Sequence, residues 1–297
     1  MATAVDRPPR DDEIDFFGTT HVGAIRTVNQ DNFLIASIRR TVEAHLTSLP
    51  SLDRLPLESE RIAFLAMVAD GVGGGPMGDA ASRFAVEAVT QYVTKCIRLS
   101  AVGDGGGTSD FPRALETAAR EVHLELLRQT EHDATLGGMA TTLTLWIGMW
   151  PRSYILQVGD SRCYILRDGE LTQLSRDQTM AQDLIDSGIL SRTDAYRTRW
   201  VNVLSSAIGG SQNTPVVSYL HQMWGTVGLL CSDGLTKHVS DERIRDRLLT
   251  MTSAKQVCTD LVQDALDGGG TDNITVVVGR TVRRDANATS HVQVQHE

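Results

Sequence analysis

The sequence predicts an α+β protein in which two antiparallel β-sheets pack on each other with helices on the outside. Segments typical of strands outnumber those typical of helices. Their order is strands, two helices, many strands, one helix and a final strand. Strands and helices therefore do not alternate regularly, which disfavours a doubly wound parallel sheet.

The predicted strands are short segments rich in β-branched and aromatic residues. Residues 163–174 contain Asp168-Gly169 between two apolar runs, which predicts a hairpin with a type I′ turn. The other predicted strands are residues 32–37, 61–70, 141–149, 153–160, 216–222, 226–233 and 273–282.

Three segments have apolar residues at helical spacing, namely residues 79–97, 112–127 and 253–270. In the third segment, Ser253 is the predicted N-cap and Gly268 the predicted stop. We expect one domain over residues 15–282, because large β-rich domains reach the length of this 297-residue chain. The polar residues 1–14 and 283–297 are expected to be flexible tails of a stand-alone, monomeric domain.

The composition limits the classes of partner. A net charge of −9, from 28 basic and 37 acidic residues, argues against nucleic acid or an anionic membrane as the main partner. The four cysteines are scattered, which is typical of reduced thiols in a cytoplasmic protein. No apolar run approaches the roughly 18 residues of a membrane span. We therefore expect a soluble cytoplasmic protein without a membrane segment.

Aspartates stand at the ends of several predicted strands. Asp70, Asp160 and Asp233 each follow an apolar run and precede Gly or Ser, and Asp272 precedes the last strand. If these ends share one edge of the sheets, the carboxylates converge and repel one another. Mg²⁺ or Mn²⁺ would remove the repulsion, because hard cations prefer oxygen ligands. Two such metals, bridged by a carboxylate and a water, are a standard arrangement for phosphoester hydrolysis.

Plainer interpretations compete with this one. A single Asp-Gly after a strand is more often only a turn. Arg26, just before the strand at residues 32–37, fits a bidentate phosphate contact, but an arginine there is more often solvated. Neither an H-x-x-x-H motif nor a Cys pair occurs, so a zinc site is disfavoured.

Taken together, the motifs resemble one known family, the metal-dependent Ser/Thr protein phosphatases of the PPM or type-2C class, in a bacterial-like form. The resemblance covers residues 15–282 and follows the family's order of motifs. These motifs are RTVNQDNFL (26–34), VADGVGGGPMGDAAS (68–82), GMATTLTLWI (138–147), VGDSRCYILRDGELTQLSRDQ (158–178), VLSSAIGG (203–210), LLCSDGL (229–235) and GGTDNITVVV (269–278).

The resemblance implies a four-layer α-β-β-α sandwich with a binuclear Mn²⁺ or Mg²⁺ centre at one end. Asp70 would bridge both metals, and the carbonyl of Gly71 would bind one of them. Asp233 and Asp272 would complete the protein ligands. A metal-bridged water, rather than a phosphoenzyme, would attack the phosphate.

The resemblance also assigns roles beside the metals. Arg26 would clamp the phosphate, and Asp31 would hold metal-bound water, so that Arg26, Asp31 and Asp70 form the catalytic set. Asp160 and Asp133 are candidates for orienting the site or holding a third metal. Residues 180–210 fall where bacterial members carry a mobile flap beside the active site, so substrate choice is expected to reside there.

The chain departs from the family pattern at several positions. Val72 stands where many eukaryotic members have a histidine thought to protonate the leaving group, which leaves the general acid unassigned. Gln30, Asp79, Ala140 and Gln178 also differ from the commonest family residues. None of these changes removes a core metal ligand.

The predicted function is therefore metal-dependent hydrolysis of phosphoserine and phosphothreonine in proteins, which would oppose a bacterial Ser/Thr protein kinase. Its partners would be phosphorylated proteins, including a cognate kinase or its substrates. A catalytically silent module that binds phosphoproteins is the alternative. A nuclease or another phosphoesterase is disfavoured by the net charge of −9 and by the family resemblance.

Overall fold

The computed structural model describes residues 7–41, 59–73, 76–102, 110–132, 138–195 and 197–284. In chain order, the strands are β1 (Ile14–His21), β2 (Asp31–Arg40), β3 (Glu60–Val72), β4 (Ala140–Thr141), β5 (Leu143–Met149), β6 (Arg152–Val158), β7 (Arg162–Arg167), β8 (Glu170–Gln173), β9 (Val216–His221), β10 (Val227–Cys231) and β11 (Ile274–Thr281). The helices are α1 (Pro76–Val102), α2 (Phe111–His132), α3 (Met180–Asp186), α4 (Arg192–Ala195), α5 (Asp233–Thr236), α6 (Asp241–Leu249) and α7 (Ala254–Asp267).

The strands form two antiparallel sheets. Sheet A has the order β1-β11-β10-β7-β8, and sheet B has the order β2-β3-β5-β6-β9, with the short β4 paired to β3. The first and last strands of the fold, β1 and β11, are neighbours in sheet A. Long-range pairing of this kind brings segments from both ends of the chain to the same edge of the molecule.

Three apolar layers hold the sandwich together. Helices α1 and α2 cover sheet B, where Leu65 and Leu145 are fully buried. Helices α6 and α7 cover sheet A, where Leu229 is fully buried. Between the sheets, Val68 of sheet B belongs to one cluster with Leu230 of sheet A. Alternate residues of one strand thus serve different layers, which confirms the predicted four-layer α-β-β-α sandwich.

The turn at Asp168-Gly169 and both predicted ends of α7 are found in the structure. Asp168 and Gly169 both have positive φ, 52° and 82°, as the predicted type I′ hairpin requires. The Ser253 hydroxyl accepts a hydrogen bond from the Gln256 N–H (3.1 Å), so Ser253 is the N-cap of α7. Gly268 is the residue at which α7 ends.

Several elements of the structure have no clear signal in the sequence. Strand β1 was not predicted, and most of its residues are only half-buried, with a glycine in its middle. Helix α6 was also missed, because its sequence DERIRDRLL is mainly charged and buries only Ile244 and Leu248. Helices α3, α4 and α5 are too short for helical periodicity to reveal them.

Residues near both ends of the described part of the chain contact the rest of the domain. Glu13 is buried, and its carboxylate accepts hydrogen bonds from the Arg7 guanidinium (2.6 Å) and the Arg10 N–H (2.8 Å). The backbone N–H of Val282 donates to the Glu13 carbonyl (2.8 Å). The boundaries expected for the domain, 15 and 282, remain predictions. Among the described residues, no helix is both long and apolar enough to span a membrane.

The N-cap of α7 offers a test of the fold's stability. Ser253→Ala is expected to lower the free energy of unfolding by about 1 kcal/mol, because the Gln256 N–H loses its hydrogen-bond acceptor. Urea denaturation followed by circular dichroism measures the change. Ser253→Asp keeps an accepting oxygen and serves as the control, with nearly wild-type stability. Equal stability of the alanine variant and the wild type would contradict this role of Ser253.

Candidate active site

The aspartates predicted from strand ends meet in one cleft. The cleft has a volume of about 880 Å³ and is lined by Asp70, Asp160, Asp233 and Asp272. Asp70 lies near the end of β3, and Asp160 follows β6. Asp233 opens α5 directly after β10, and Asp272 precedes β11. Both sheets therefore contribute carboxylates to the same end of the sandwich.

Asp31 stands directly opposite Asp70 in the β2–β3 ladder. It is buried, and its Oδ2 accepts hydrogen bonds from the hydroxyls of Ser232 and Thr275, each at 2.7 Å. Its Oδ1 is also buried but has no hydrogen-bond partner. Burial raises the pKa of Asp31 to about 6, against the lowering effect of the two hydroxyls.

The backbone of Asp70 is held by the GMATT segment. Its N–H donates to the Thr142 hydroxyl (3.0 Å), and its carbonyl accepts from the Thr142 N–H and the Thr141 hydroxyl, both at 2.9 Å. The Thr142 hydroxyl in turn pairs with that of Ser161 (2.7 Å), next to Asp160. Burial raises the pKa of Asp70 well above its usual range, and the nearby carboxylates, Asp31 first, add to the effect.

Asp70 is followed by a close approach of two backbones that requires glycine. A Cβ on Gly71 would collide with the carbonyl oxygen of Gly78 and crowd that of Gln30. The Gly71 N–H donates to the Gln30 carbonyl (3.2 Å), and the Gln30 side chain donates to the Gly73 carbonyl (3.0 Å). The glycines after Asp70 thus let the start of α1 pack against the β2 end of the cleft.

Two cations lie against the carboxylates of sheet A. The Lys237 ammonium contacts Asp233 Oδ2 at 2.6 Å and Asp272 Oδ2 at 2.8 Å. The Arg26 guanidinium, about half exposed, contacts Asp272 Oδ1 at 2.9 Å and Oδ2 at 3.1 Å. Burial acts to raise the pKa of Asp272, but Lys237, the Asn273 N–H and Arg26 together lower it.

Asn273 fixes the loop that carries Arg26. Its side-chain Oδ1 accepts from the Gln30 N–H (2.9 Å), and its Nδ2 donates to the carbonyls of Val22 (2.9 Å) and Val28 (3.0 Å). Asn273 is buried, so these bonds are shielded from water. One side chain therefore positions the Arg26 loop relative to Asp272.

The structure describes two of the three remaining predictions, Asp160 and the flap at residues 180–210, but not Asp133. Asp160 lines the cleft, and burial raises its pKa to about 8, with repulsion from Asp233 and Asp177 adding to the shift. Asp133 lies outside the described residues. The predicted flap, residues 180–210, contains α3, α4 and a 3₁₀ turn (Arg199–Asn202), and its residues 202–207 line the cleft.

The groups that support the carboxylates were not predicted from the sequence. These are Lys237, Asn273 and the hydroxyl residues Ser232 and Thr275. Two of them are adjacent to predicted aspartates, since Ser232 precedes Asp233 and Asn273 follows Asp272. Adjacency was therefore an available signal for them. Lys237 and Thr275 are recognised only from the folded arrangement.

The donor chemistry of the cleft fits hard divalent cations. Asp31 Oδ1 and Asp233 Oδ1 are buried without hydrogen-bond partners, and an oxygen in that state lacks a cation or a donor. Carboxylate oxygens are the ligands that Mg²⁺ and Mn²⁺ prefer. Within the described ranges, no group of three or more His, Cys, Asp or Glu side chains is already gathered around a metal position. Lys237 instead bridges two of the carboxylates.

A second cavity, of about 510 Å³, lies between the sheets at the other end of the sandwich. Apolar residues of both sheets, such as Trp146 and Leu230, form much of its wall. The carboxylates raised in pKa by burial and mutual repulsion converge instead in the first cleft. The first cleft is therefore the candidate active site.

Comparison with known proteins gives consistent matches. Residues 47–267 match the family model described as Protein phosphatase 2C. The chain is 34% identical over 230 residues to serine/threonine protein phosphatase PstP of Mycobacterium tuberculosis, covering 77% of this chain and 43% of PstP. The chain thus spans less than half the length of that relative. It is 32% identical over 216 residues to serine/threonine phosphatase stp of Listeria welshimeri, covering 72% of this chain and 83% of that protein.

Solved structures give the same result for the fold. A crystal structure of the M. tuberculosis phosphatase PstP matches with a TM-score of 0.72 at 30% identity, covering 91% of this chain and 99% of that one. The catalytic domain of PstP in complex with two manganese ions matches with a TM-score of 0.68, at the same 30% identity and the same coverage of 91% and 99%.

The raised pKa of Asp160 predicts a pH dependence of stability in metal-free protein. The pKa rises from 3.8 to about 8 on folding, so folding disfavours the ionised form and stability falls as pH rises through this window. Asp160→Asn removes the effect. In EDTA, Asp160→Asn is expected to raise the free energy of unfolding by more at pH 8 than at pH 5, and the two gains should differ by on the order of 3 to 4 kcal/mol.

Urea denaturation at the two pH values measures this difference. Asp168→Asn is the matched control, because Asp168 lies in a hairpin turn away from the cleft and asparagine tolerates its positive φ. The control should show the same small change at both pH values. A gain for Asp160→Asn that did not increase with pH would contradict the prediction.

Proposed function

The chain belongs to the protein phosphatase 2C family, and from this premise we propose that it hydrolyses phosphoserine and phosphothreonine in proteins with the help of divalent metal ions. The observation that carries the proposal is the convergence of four half-buried carboxylates from both sheets in one cleft, with the buried Asp31 directly opposite Asp70, and with unpartnered buried oxygens on Asp31 and Asp233. The cleft's carboxylates repel a phosphate monoester, and its two cations, Arg26 and Lys237, are already paired with two of these carboxylates, so further positive charge is needed. The cleft is therefore suited to a phosphate only in its metal-loaded form.

We propose that two Mn²⁺ or Mg²⁺ ions are held by Asp70, the carbonyl of Gly71, Asp233 and Asp272. The two manganese ions in the related PstP catalytic domain support this assignment. When bound, the metals would neutralise the phosphate charge and acidify a water molecule as nucleophile. Asp160 is a candidate for a third metal, and so is Asp133, which lies outside the described residues.

The protein's own groups then orient the reactants. Asp31 would accept a hydrogen bond from the attacking water through its unpartnered Oδ1, since Ser232 and Thr275 occupy its Oδ2. The backbone bonds to Thr142 hold Asp70 in a single position. Positioning of this kind contributes much of the rate in phosphoryl transfer, where the protein does little covalent chemistry.

Arg26 is the group proposed to bind the phosphate. Its guanidinium lines the cleft and is about half exposed, so its N–H groups are accessible from the open side. A planar guanidinium donates two parallel hydrogen bonds to phosphate oxygens. Val72, 40% exposed at the cleft, offers no proton to the leaving group, and we propose that water supplies it.

The biological setting follows from the same premise. We propose that the enzyme acts as a monomer in a bacterial cytoplasm, where it opposes a Ser/Thr protein kinase in signal transduction. The cysteines of the described residues are all free thiols, which supports a reducing compartment. Residues 202–207, in the proposed flap, line the cleft and are positioned to contact the substrate protein.

Phosphate release from a phosphothreonine peptide tests the activity. We expect release with Mn²⁺ or Mg²⁺ and none with EDTA, because the bare carboxylates repel phosphate. Asp233→Asn is expected to lower kcat about a hundredfold or more, by analogy with the loss of one charge-stabilising group in other enzymes. Asp168→Asn, in the distant hairpin turn, is the control with wild-type turnover.

The same experiment separates the catalytic proposal from the silent module. Binding of the phosphopeptide without release under either metal would contradict catalysis and favour the binding module. DNA and nucleotide substrates tested in parallel would reveal a different phosphoesterase. Release from these substrates in preference to the phosphopeptide would overturn the proposed substrate class.

Arg26 offers a test of phosphate recognition. Arg26→Ala is expected to lower kcat/KM about tenfold to a hundredfold, as expected for a lost charge-assisted pair of hydrogen bonds. Arg26→Lys keeps the charge but not the planar pair, so it should recover only part of the loss. Steady-state kinetics with the phosphothreonine peptide measure both variants. Wild-type kcat/KM in Arg26→Ala would rule out the proposed contact.

A further inference from the structure

Lys237 occupies an unusual position for a lysine. Its ammonium group lies between two carboxylates, 2.6 Å from Asp233 Oδ2 and 2.8 Å from Asp272 Oδ2. Its side chain is only 30% exposed. Most surface lysines form one loose ion pair in water, whereas this one joins two partly buried acids from different segments of the chain.

The local backbone directs Lys237 to this place. Helix α5 (Asp233–Thr236) has Lys237 as its C-cap, and the Lys237 N–H donates to the Asp233 carbonyl at 2.8 Å. Residues four apart on a helix lie on the same face, so the lysine stands over the aspartate. A Cβ on Gly234 would collide with the Asn273 carbonyl, which means that α5 packs directly against the segment carrying Asp272. The bridge is therefore built into the fold.

The two carboxylates that Lys237 bridges are both assigned as metal ligands in the proposed function. Lys237 holds the Oδ2 of each by a hydrogen-bonded ion pair. A divalent metal of this size binds carboxylate oxygens at about 2.0–2.2 Å, and an ammonium group cannot stay within hydrogen-bond distance of both oxygens while the metal lies between them. A metal that binds the Oδ2 atoms of these two aspartates therefore requires that Lys237 move away.

We propose that Lys237 is a tethered cation that competes with one divalent metal for Asp233 and Asp272. This inference rests on the proposed function, because it uses the metal ligands assigned there. In metal-free protein, Lys237 neutralises the two carboxylates and keeps this side of the cleft folded. In metal-loaded protein, the ion replaces the ammonium group. At one of the two metal positions, the metal binds only those molecules in which Lys237 has released the carboxylates. The apparent dissociation constant at that position is therefore the intrinsic one divided by the fraction of such molecules.

Calorimetric titration of Mn²⁺ into the metal-stripped full chain measures the competition. Lys237→Gln is expected to tighten the weaker of the two Mn²⁺ dissociation constants about tenfold, the gain expected if Lys237 is engaged in about nine molecules of ten. Lys95→Gln is the matched control, since Lys95 is exposed on α1 and its loss changes the net charge equally. The control should bind Mn²⁺ as the wild type does.

Thermal unfolding gives a second readout that does not depend on activity. In EDTA, Lys237→Gln is expected to unfold at a lower temperature than the wild type, because two partly buried carboxylates lose their counter-ion. Saturating Mn²⁺ should then raise the Tm of the variant by more than it raises the Tm of the wild type. Lys95→Gln should show the wild-type increment.

The outcomes separate this inference from the proposed function. If the wild type binds Mn²⁺ and Lys237→Gln binds it with equal or weaker affinity while folded, the competition is overturned and the metal centre stands. If neither protein binds Mn²⁺, the metal centre itself is overturned, and the competition with it. Binding that appears only in Lys237→Gln would support the competition in its strongest form.

Discussion

The repulsion among closely spaced carboxylates at one end of the sandwich is the constraint on which the rest of the structure depends. Burial raises the pKa values of Asp31, Asp70, Asp160 and Asp233, and neighbouring acids add to the effect for each of the four. Such an arrangement opposes folding unless the surrounding framework is strong. Here the framework consists of three apolar layers and two antiparallel sheets. The scaffold thus supplies the stability that the cleft itself lacks.

Different polar groups offset the repulsion at different carboxylates. Hydroxyls of Ser232 and Thr275 satisfy one oxygen of Asp31, and Lys237 neutralises part of the charge on Asp233 and Asp272. The side chain of Asn273 makes its hydrogen bonds to the backbone of the neighbouring loop, which carries Arg26. The unpartnered oxygens of Asp31 and Asp233 remain. The protein is therefore preorganised to accept cations, while its metal-free form retains enough internal neutralisation to fold.

Much of the fold and of the carboxylate cluster could be predicted from the sequence, because the signals were local. Asp70 and Asp233 follow apolar runs and precede glycine, so the sequence predicts that both lie at strand ends. The contact of Thr275 with Asp31 and that of Lys237 with Asp272 could not be assigned in this way, since each joins segments that are distant in the sequence. The order of strands within each sheet depends on the same long-range pairing. Helix α6 was missed because its charged sequence buries only two side chains.

The pairing of β1 with β11 determines what a truncated chain would lose. Strand β11 contains Thr275, and Asp272 lies two residues before this strand begins. A chain that is cut before Asp272 lacks both β11 and one side of the cleft. The same cut also leaves β1 without its pairing partner in sheet A. Loss of this one segment is therefore expected to remove a carboxylate of the cleft and the closure of the sheet together.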